Sequence, residues 1–358
     1  MLATRPDMTW AEYDIKAMVA RDMNSPAVVM YSMGNEVIEG TARIRRSEYP
    51  AIMQNLIKWV EEVDSTRLVT MGDNQLKDGF ARDIVDQANI ITDAGGIVGL
   101  NYAGGSRYDT IHASYPDWTL FGSETASSVN SRGVYTRTGS FNYSPQTPAD
   151  KLLTSYDNSR VGWGALAAEA WYDVITRDFV MGEAVWTGFD YLGEPTPWNG
   201  ITPGAQGGWP SSKSSYFGII DTAGLPKDSY YFYQSQWNDK VDTLHILPAW
   251  NKDAVSGDKN VPIVVYTNLD KVELYFTPAN GEKRLIGSQE FVEKQTPGGF
   301  TYKTVDGKDE FKALYAEFSL DYEDGLLEAV GYRDNEKVSD TVGTVSYTHL
   351  TLPTILLV

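Results

Sequence analysis

Two glutamates of the sequence each follow a short apolar run, a placement that could bring them together in one catalytic site. Glu36 comes near the end of RDMNSPAVVMYSMGNEV, residues 21–37, directly after Asn35. Glu124 follows the apolar residues of DWTLFGSETASS, residues 117–128. Because the ligands of parallel α/β proteins bind at the carboxyl ends of the strands, chemistry is expected at both positions. Taken alone, each residue is also compatible with an ordinary loop glutamate, but the two together make a catalytic pair the better hypothesis.

A pair of carboxylates in one pocket is typical of enzymes that hydrolyse glycosidic bonds. One group, whose pKa is raised, protonates the leaving oxygen, and the other attacks the anomeric carbon if the two stand roughly 5 to 5.5 Å apart. The segment VWTGFDYLGEPTPW, residues 185–198, adds aromatic rings around Asp190. Rings such as Trp186 and Trp198 offer flat apolar faces to sugar C–H groups, beside acceptors for the hydroxyls. If Trp186 is considered without the aromatic residues near it in the sequence, packing in the core is the alternative to sugar binding.

A further apolar run, GIVGLNY, ends in Asn101 and Tyr102. The Tyr102 hydroxyl could donate a hydrogen bond to a nearby carboxylate. An ordinary strand tyrosine is an equally good interpretation, so this segment contributes candidate binding residues rather than a mechanism.

Composition excludes several partners. The chain has 48 acidic and 30 basic residues among 358, a formal net charge of -18 that repels nucleic acid and anionic membranes. No apolar run reaches the roughly 18 residues that a membrane span needs. The absence of cysteine excludes disulfides and thiol catalysis. The three histidines lie far apart without metal-ligand spacing, so we predict no zinc site.

The elements that must position these residues follow from the apolar pattern. Up to about residue 236, amphipathic helical patterns alternate with short apolar runs, which predicts an α/β fold with a parallel sheet. We predict helices over 10–21, 49–64 and 165–179, and strands over 27–32, 67–71, 97–102, 118–123 and 180–189. Continuous apolar strands indicate burial on both faces of the sheet. After residue 237, short β-rich segments between turn residues predict an antiparallel β-sandwich of about a hundred residues.

The segment RDMNSPA, residues 21–27, followed by Gly-Asn-Glu at 34–36, resembles the acid/base signature of glycoside hydrolase family 2, the β-galactosidase family. The family pattern is Arg-Asp-x-Asn-His-Pro-Ser, then Gly-Asn-Glu. Ser25 and Ala27 depart from it, and both fall in the turn before the strand. The segments WTGFDYLGEPTPW and SSYFGIIDTAGLPKDSYYFYQSQW resemble the gut-bacterial β-galactosidase branch. The resemblance extends over roughly residues 10–343.

This resemblance implies a role for each candidate residue. Glu36 matches the general acid/base, and Glu124 falls at the nucleophile position at the end of barrel strand 7. Asn35 would contact the sugar 2-hydroxyl, Tyr102 would orient the nucleophile, and Trp186 would line the sugar subsite. We also expect Asn101, Asp190 and Trp198 to bind substrate. The implied reaction is release of terminal β-D-galactose from a glycan or oligosaccharide with retained configuration.

The resemblance also bears on cofactors and on the sugar. We predict no cofactor for this chain. A divalent cation in the full-length enzyme stays open, because some family members hold one with ligands from strand 3, which is expected to be missing here. Relatives that cleave β-glucuronides carry Asn-x-Lys where this sequence reads Ser-Ser-Tyr at 214–216, which disfavours a glucuronide. Asn-Asp-Lys at 238–240 is more simply a linker. Another neutral sugar, or a non-catalytic carbohydrate-binding or scaffold protein, are the alternatives.

We predict that residues 1–238 form a partial (β/α)8 TIM barrel, strands 4 to 8, followed by an immunoglobulin-like β-sandwich over 239–344. Because a complete barrel takes roughly 250 residues and eight strands, we expect the isolated chain to be an inactive fragment. A divergent start that forms a smaller sheet is the alternative. We interpret 345–358 as an artefact, since VSYTHLTLPT at 345–354 matches the translation of a transposon-based sequencing adapter codon for codon.

Overall fold

The computed structural model describes residues 8–37, 46–138, 152–194, 196, 213–255, 257 and 259–342. Residues 1–125 and 173–185 form one compact unit, and residues 126–172 and 186–358 form a second. Trp198 and the tail 345–358 lie outside the described residues. The predicted domain limits, 1–238, 239–344 and 345–358, stay predictions.

The first unit contains five parallel strands that are connected by helices. In chain order up to residue 186 the elements are α1 (Met8–Asp22), β1 (Met30–Asn35), α2 (Tyr49–Glu61), β2 (Leu68–Asp73), α3 (Arg82–Asp93), β3 (Ile97–Asn101), α4 (Gly105–Ser114), β4 (Leu120–Ala126), α5 (Ala167–Ile175) and β5 (Val180–Trp186). Most of α5 belongs to the second unit. The strands form one sheet in the order β1-β2-β3-β4-β5. Sequential strands joined by crossover helices are the arrangement of a (β/α)8 barrel, so the predicted partial barrel is confirmed.

Helix α2 shows why the sequence forms this layer. Tyr49, Met53, Ile57 and Val60 recur at intervals of three and four residues and are all buried, because this spacing places them on one helix face. Pro50 lies in the first turn, where a missing N–H breaks no helical hydrogen bond. The face packs on buried side chains of β1 and β2. Each large aliphatic side chain buried in this way contributes about 1.5–3 kcal/mol.

All five predicted strands have somewhat different limits in the structure, and the differences at β1 and β4 bear on the site. β1 begins at Met30 rather than at residue 27, because the chain is still in a turn there: the Val28 N–H bonds the Ser25 carbonyl at 3.2 Å. β4 continues to Ala126, so that Glu124 lies inside a strand. Burial on both faces is confirmed for β2 and β3. It is wrong for β1 and β5, the first and last strands of the sheet, which keep partly exposed residues.

The second unit contains α6 (Asp228–Trp237) and two antiparallel sheets. Its strands are β6 (Leu244–Leu247), β7 (Val261–Thr267), β8 (Lys271–Pro278), β9 (Arg284–Gln295), β10 (Thr301–Val305), β11 (Ala316–Leu320), β12 (Gly325–Arg333) and β13 (Glu336–Val342). One sheet has the order β10-β9-β8-β12-β13, and the other has the order β11-β7-β6. Alternate residues, such as Ile263 and Val265 of β7 and Leu274 and Phe276 of β8, share one buried core. The predicted antiparallel sandwich is therefore confirmed. Within the described part of the chain, none of the helices has the length and apolar character needed to cross a membrane.

Candidate active site

The first unit places Glu36 and Glu124 at the same end of its parallel sheet. Glu36 directly follows β1, and Glu124 lies near the carboxyl end of β4. Asn101, the last residue of β3, pairs with Glu124. The sheet thus brings together five of the residues predicted from the sequence: Asn35, Glu36, Asn101, Tyr102 and Glu124.

Two asparagine amides connect the two carboxylates. Asn101 Nδ2 donates to Glu36 Oε1 at 2.9 Å and to Asn35 Oδ1 at 3.0 Å. Asn35 Nδ2 in turn donates to Glu124 Oε1 at 2.8 Å. The second oxygen of Glu124, Oε2, accepts the Tyr102 hydroxyl at 2.5 Å. Because bonds to an ionised carboxylate are stronger than neutral ones, this chain of donors fixes the orientation of both glutamates.

Irregular backbone directs these side chains. The pairing register shifts just before Asn35 in β1 and just before Glu124 in β4, and an extra residue in one strand bends it and re-aims the side chains that follow. Glu36 and Tyr102 have φ values of 45° and 59°. Such left-handed conformations are unfavourable for residues other than glycine and are typical of functional sites.

Two small residues of the site were missed by the sequence analysis. A Cβ on Gly72 of β2 would lie 2.3 Å from Asn35 Oδ1 and 2.9 Å from Asn101 Oδ1, so only glycine fits beside the two amides. The Ser123 hydroxyl donates to Asn101 Oδ1 at 2.6 Å. The signal that could have found them is a small residue at the carboxyl end of an apolar strand.

Burial and hydrogen bonding act in opposite directions on Glu124. Burial raises the pKa of Glu124, the Tyr102 hydroxyl lowers it, the negative charge of Glu36 raises it, and the Asn35 amide lowers it. Asp73 at the end of β2 is also buried, which raises its pKa, while two backbone N–H groups lower it. These N–H bonds, at 2.6 and 2.9 Å, close the turn after β2. Asp73 is therefore a structural carboxylate next to the site.

Glu183 of β5 is a further buried carboxyl that the sequence analysis missed. Burial raises the pKa of Glu183 to about 8, and neither of its carboxyl oxygens has a hydrogen-bond partner among the described residues. A Cβ on Gly122 would lie 3.0 Å from the Tyr108 hydroxyl and 3.3 Å from Glu183 Cβ, which places this carboxyl directly beside β4. An acidic residue inside the apolar run of β5 was the available signal.

The second unit contains Trp186, the predicted aromatic residue of the sugar subsite. Its ring packs edge-on against Tyr191 with the centroids 5.8 Å apart, and both rings lie against a small apolar cluster. The Trp186–Thr187 peptide bond is cis. The contacts of Trp186, and also of Trp198, with a sugar stay predictions.

Asp190, predicted to bind substrate, lies in a buried ion pair within the same unit. Its Oδ2 is 2.7 Å from Lys227 Nζ, and its Oδ1 accepts the Gly218 N–H at 2.7 Å. Burial raises the pKa of Asp190 and lowers that of Lys227, and their mutual attraction opposes both shifts. Both oxygens of Asp190 therefore have partners in the protein, and its contact with substrate stays a prediction.

In the segment 214–216, where the resemblance led us to expect Asn-x-Lys in glucuronide-cleaving relatives, the Tyr216 carbonyl accepts Lys227 Nζ at 3.3 Å. The Ser215 hydroxyl accepts the Tyr191 N–H at 3.1 Å, and Ser215 is buried. Asn238 follows α6, where its side chain accepts the Lys240 N–H at 3.1 Å. This local turn agrees with the interpretation of 238–240 as a linker.

A parallel barrel sheet with two glutamates at the carboxyl ends of its strands is the arrangement of the barrel glycoside hydrolases. In the part of the chain that the structure describes, no three His, Asp or Glu side chains are grouped as metal ligands would be. Residues 3–97 match the family model "Glycosyl hydrolases family 2, TIM barrel domain". Residues 258–339 match a domain of unknown function, DUF4982. The barrel part of the chain belongs to glycoside hydrolase family 2.

Its relatives carry names for different sugars. The chain is 32% identical over 323 residues to a protein named beta-galactosidase BoGH2A from Bacteroides ovatus, a match that covers 77% of this chain and 34% of that protein. It is 28% identical over 343 residues to a Formosa agariphila protein provisionally named beta-glucuronidase, covering 93% of this chain and 29% of the relative. The crystal structure of a beta-glycosidase from Bacteroides vulgatus matches 93% of this chain and 38% of its own, with 25% identity and a TM-score of 0.65. The chain thus spans about a third of the length of the curated relatives it matches.

Proposed function

We propose that this chain carries the catalytic residues of a retaining exo-β-glycosidase, and that the substrate is a terminal β-D-galactoside. The observation that supports this most strongly is the pair Glu36 and Glu124 at one end of the sheet, linked through the amides of Asn35 and Asn101. Glu124 is the proposed nucleophile, because a tyrosine and an amide hold its two oxygens. Glu36 is the proposed acid/base.

The reaction takes two steps. Glu124 attacks the anomeric carbon while Glu36 gives its proton to the glycosidic oxygen, so that the aglycone leaves and a glycosyl ester forms on Glu124. Glu36 then removes a proton from water, whose oxygen attacks the same carbon and releases Glu124 as a carboxylate. Two inversions give net retention. Esterification removes the negative charge of Glu124 beside Glu36, which helps Glu36 to act as a base in the second step.

The hydrogen bonds to Glu124 have a defined part in this mechanism. A nucleophile must be ionised, whereas burial favours the neutral acid. The Tyr102 hydroxyl and the Asn35 amide favour the ionised form and lower the pKa of Glu124. They also fix the rotation of the carboxylate, so that its attacking oxygen needs little reorganisation.

The choice of a neutral sugar is supported by the neutral segment 214–216. A glucuronide carboxylate would require a cationic group at that place in the relatives' pattern, and here the sequence reads Ser-Ser-Tyr. The relative named beta-galactosidase is also the more similar of the two curated ones compared above. Another neutral β-glycoside is the nearest alternative.

The test measures turnover of aryl β-galactoside and aryl β-glucuronide by the 358-residue chain and by the full product of its gene. Glu124→Ala should abolish galactoside turnover, because no ester can form, and added azide should restore it with an α-configured galactosyl azide as product. Wild-type turnover by Glu124→Ala would refute the nucleophile assignment. Hydrolysis of the glucuronide but not of the galactoside would refute the assignment of galactose as the substrate sugar. Binding of galactosides without turnover by the full product would show a carbohydrate-binding protein.

A further inference from the structure

In the second unit, the sandwich is joined to the segment that follows β4 by side-chain hydrogen bonds. Tyr266 of β7 donates its hydroxyl to Asp157 Oδ2 at 2.7 Å. Tyr156, the neighbour of Asp157, donates its hydroxyl to the Pro262 carbonyl of the same strand at 3.1 Å. Tyr266 and Pro262 belong to the domain of unknown function at 258–339. One sandwich strand therefore contacts this segment twice.

Asp157 also contacts Asn130, a few residues beyond the end of β4. Its side chain is partly buried, and its Oδ1 accepts Asn130 Nδ2 at 2.8 Å. Burial raises the pKa of Asp157 to about 8, and the charge of Asp228 adds to this, while the Tyr266 hydroxyl opposes it. At neutral pH most of the Asp157 carboxyl is therefore protonated, and a neutral hydrogen-bonding group occupies the interior instead of an isolated charge.

From Asn130 the contacts continue to the segment that follows β5. The Asn130 carbonyl accepts Lys227 Nζ at 2.9 Å, and Lys227 Nζ lies 2.7 Å from Asp190 Oδ2. The other oxygen of Asp190 binds the Gly218 N–H at 2.7 Å. Asp190 is four residues beyond Trp186 in the sequence. A continuous path of contacts, each no longer than 2.9 Å, thus runs from β7 to the segment that begins with Trp186.

A second path joins the same parts. His245 of β6 has Nε2 at 2.6 Å from Asp228 Oδ1, at the start of α6. The Tyr135 hydroxyl donates to Asp228 Oδ2 at 2.9 Å. Tyr135 lies in the segment after β4, so strand, helix and segment share this one carboxylate. Burying polar groups costs free energy unless each has a partner. A domain connected only by a flexible linker would not require these paired polar groups.

From these contacts we propose that the sandwich of unknown function is a positioning element of the proposed sugar subsite at Trp186. Through Tyr266 and Asp157 it holds the segments that leave β4 and β5, and so sets the position of Trp186 for the sugar. The inference rests on the proposed function, since Trp186 is the proposed sugar platform. Tyr266 and Asp157 are positioning residues, because their contacts are with other protein groups.

The test compares Tyr266→Phe with Tyr332→Phe. Both tyrosines belong to the sandwich, and each donates its hydroxyl to a carboxylate at 2.7 Å, but Tyr332 bonds Glu273 within the sandwich itself. Amide hydrogen exchange is measured on the chain, and kcat and KM for an aryl β-galactoside are measured on the full product of the gene. For Tyr266→Phe we expect exchange in residues 126–138 and 186–192 to rise about fivefold, because one net hydrogen bond is lost. We expect KM to rise about five- to tenfold with kcat within twofold, since a sugar platform acts on binding.

Tyr332→Phe should change neither the exchange in those segments nor KM. Tyr156→Phe, which removes the other hydroxyl contact with β7, should act in the same direction as Tyr266→Phe. Unchanged exchange in 186–192 for Tyr266→Phe would overturn the proposal, and so would faster exchange with unchanged KM. If the full product hydrolyses no aryl glycoside at all, the proposed function fails and the positioning of a sugar platform fails with it. The exchange data would then still show whether the sandwich holds the two segments.

Discussion

Gly72→Ala tests the two amides that join the glutamates. The added Cβ would lie 2.3 Å from Asn35 Oδ1 and 2.9 Å from Asn101 Oδ1, far inside normal contact distance. Since β2 lies between β1 and β3 in the sheet, the backbone at Gly72 cannot move away easily. The amides must move instead, which breaks the bonds from Asn35 to Glu124 and from Asn101 to Glu36.

The size of the effect follows from these two bonds. The bond from Asn35 to the ionised Glu124 contributes about 1.5–3 kcal/mol, and the bond from Asn101 to the protonated Glu36 contributes about 0.5–1.5 kcal/mol. Loss of both bonds therefore removes roughly 2–4.5 kcal/mol of stabilisation of the catalytic arrangement, which lowers kcat/KM by roughly 30- to 2,000-fold at 1.36 kcal/mol per tenfold change. The extra methyl group should lower the free energy of unfolding by about 1–3 kcal/mol, so the loss of activity should exceed the loss of folded protein.

The assay is kcat/KM for an aryl β-galactoside with the full gene product, with thermal unfolding measured in parallel. Gly79→Ala is the matched control, because no atom lies within 4 Å of a Cβ at this position in the loop after β2. We expect Gly79→Ala to retain wild-type kcat/KM. A Gly72→Ala variant with activity within threefold of wild type would refute the reasoning that the paired amides hold the glutamates.

Two further predictions concern pH. Tyr102→Phe removes the hydroxyl that lowers the pKa of Glu124, so the acidic limb of kcat/KM should move to higher pH; a limb that stays in place or moves to lower pH would contradict the proposed role of Tyr102. Asp157 has a pKa of about 8 in the folded chain and about 3.9 in the unfolded chain. Between these two pH values the folded chain holds a proton on Asp157 that the unfolded chain has released. The free energy of unfolding should therefore fall as the pH rises from about 4 to about 8. Asp157→Asn should flatten this decline in urea unfolding at pH 5 and pH 8, and an unchanged slope would show that the carboxyl is ionised in the fold.

The order of elements and the two glutamates could be predicted because their signals are local. An apolar run followed by Asn35 and Glu36 is visible within one segment, and the alternation of helices and strands needs only the spacing of apolar residues. The strand limits were less accurate. Residues 27–29 are as apolar as a strand, and only the pairing of Met30 with Leu68 decides where β1 begins.

The sequence by itself determined the class of fold and the family of the barrel, and it predicted the pair of carboxylates, since each depends on residue types within short segments. The tertiary structure alone decided which atoms meet: that Asn101 bonds Glu36, that Gly72 leaves room for both amides, and that Asp190 is paired with Lys227. These contacts join residues that are 29 to 65 positions apart in the chain, and they depend on strand register, bulges and burial. The same physical reason explains Asp157, an ordinary loop aspartate in the sequence, which links the sandwich to the segment after β4 only when the chain has folded.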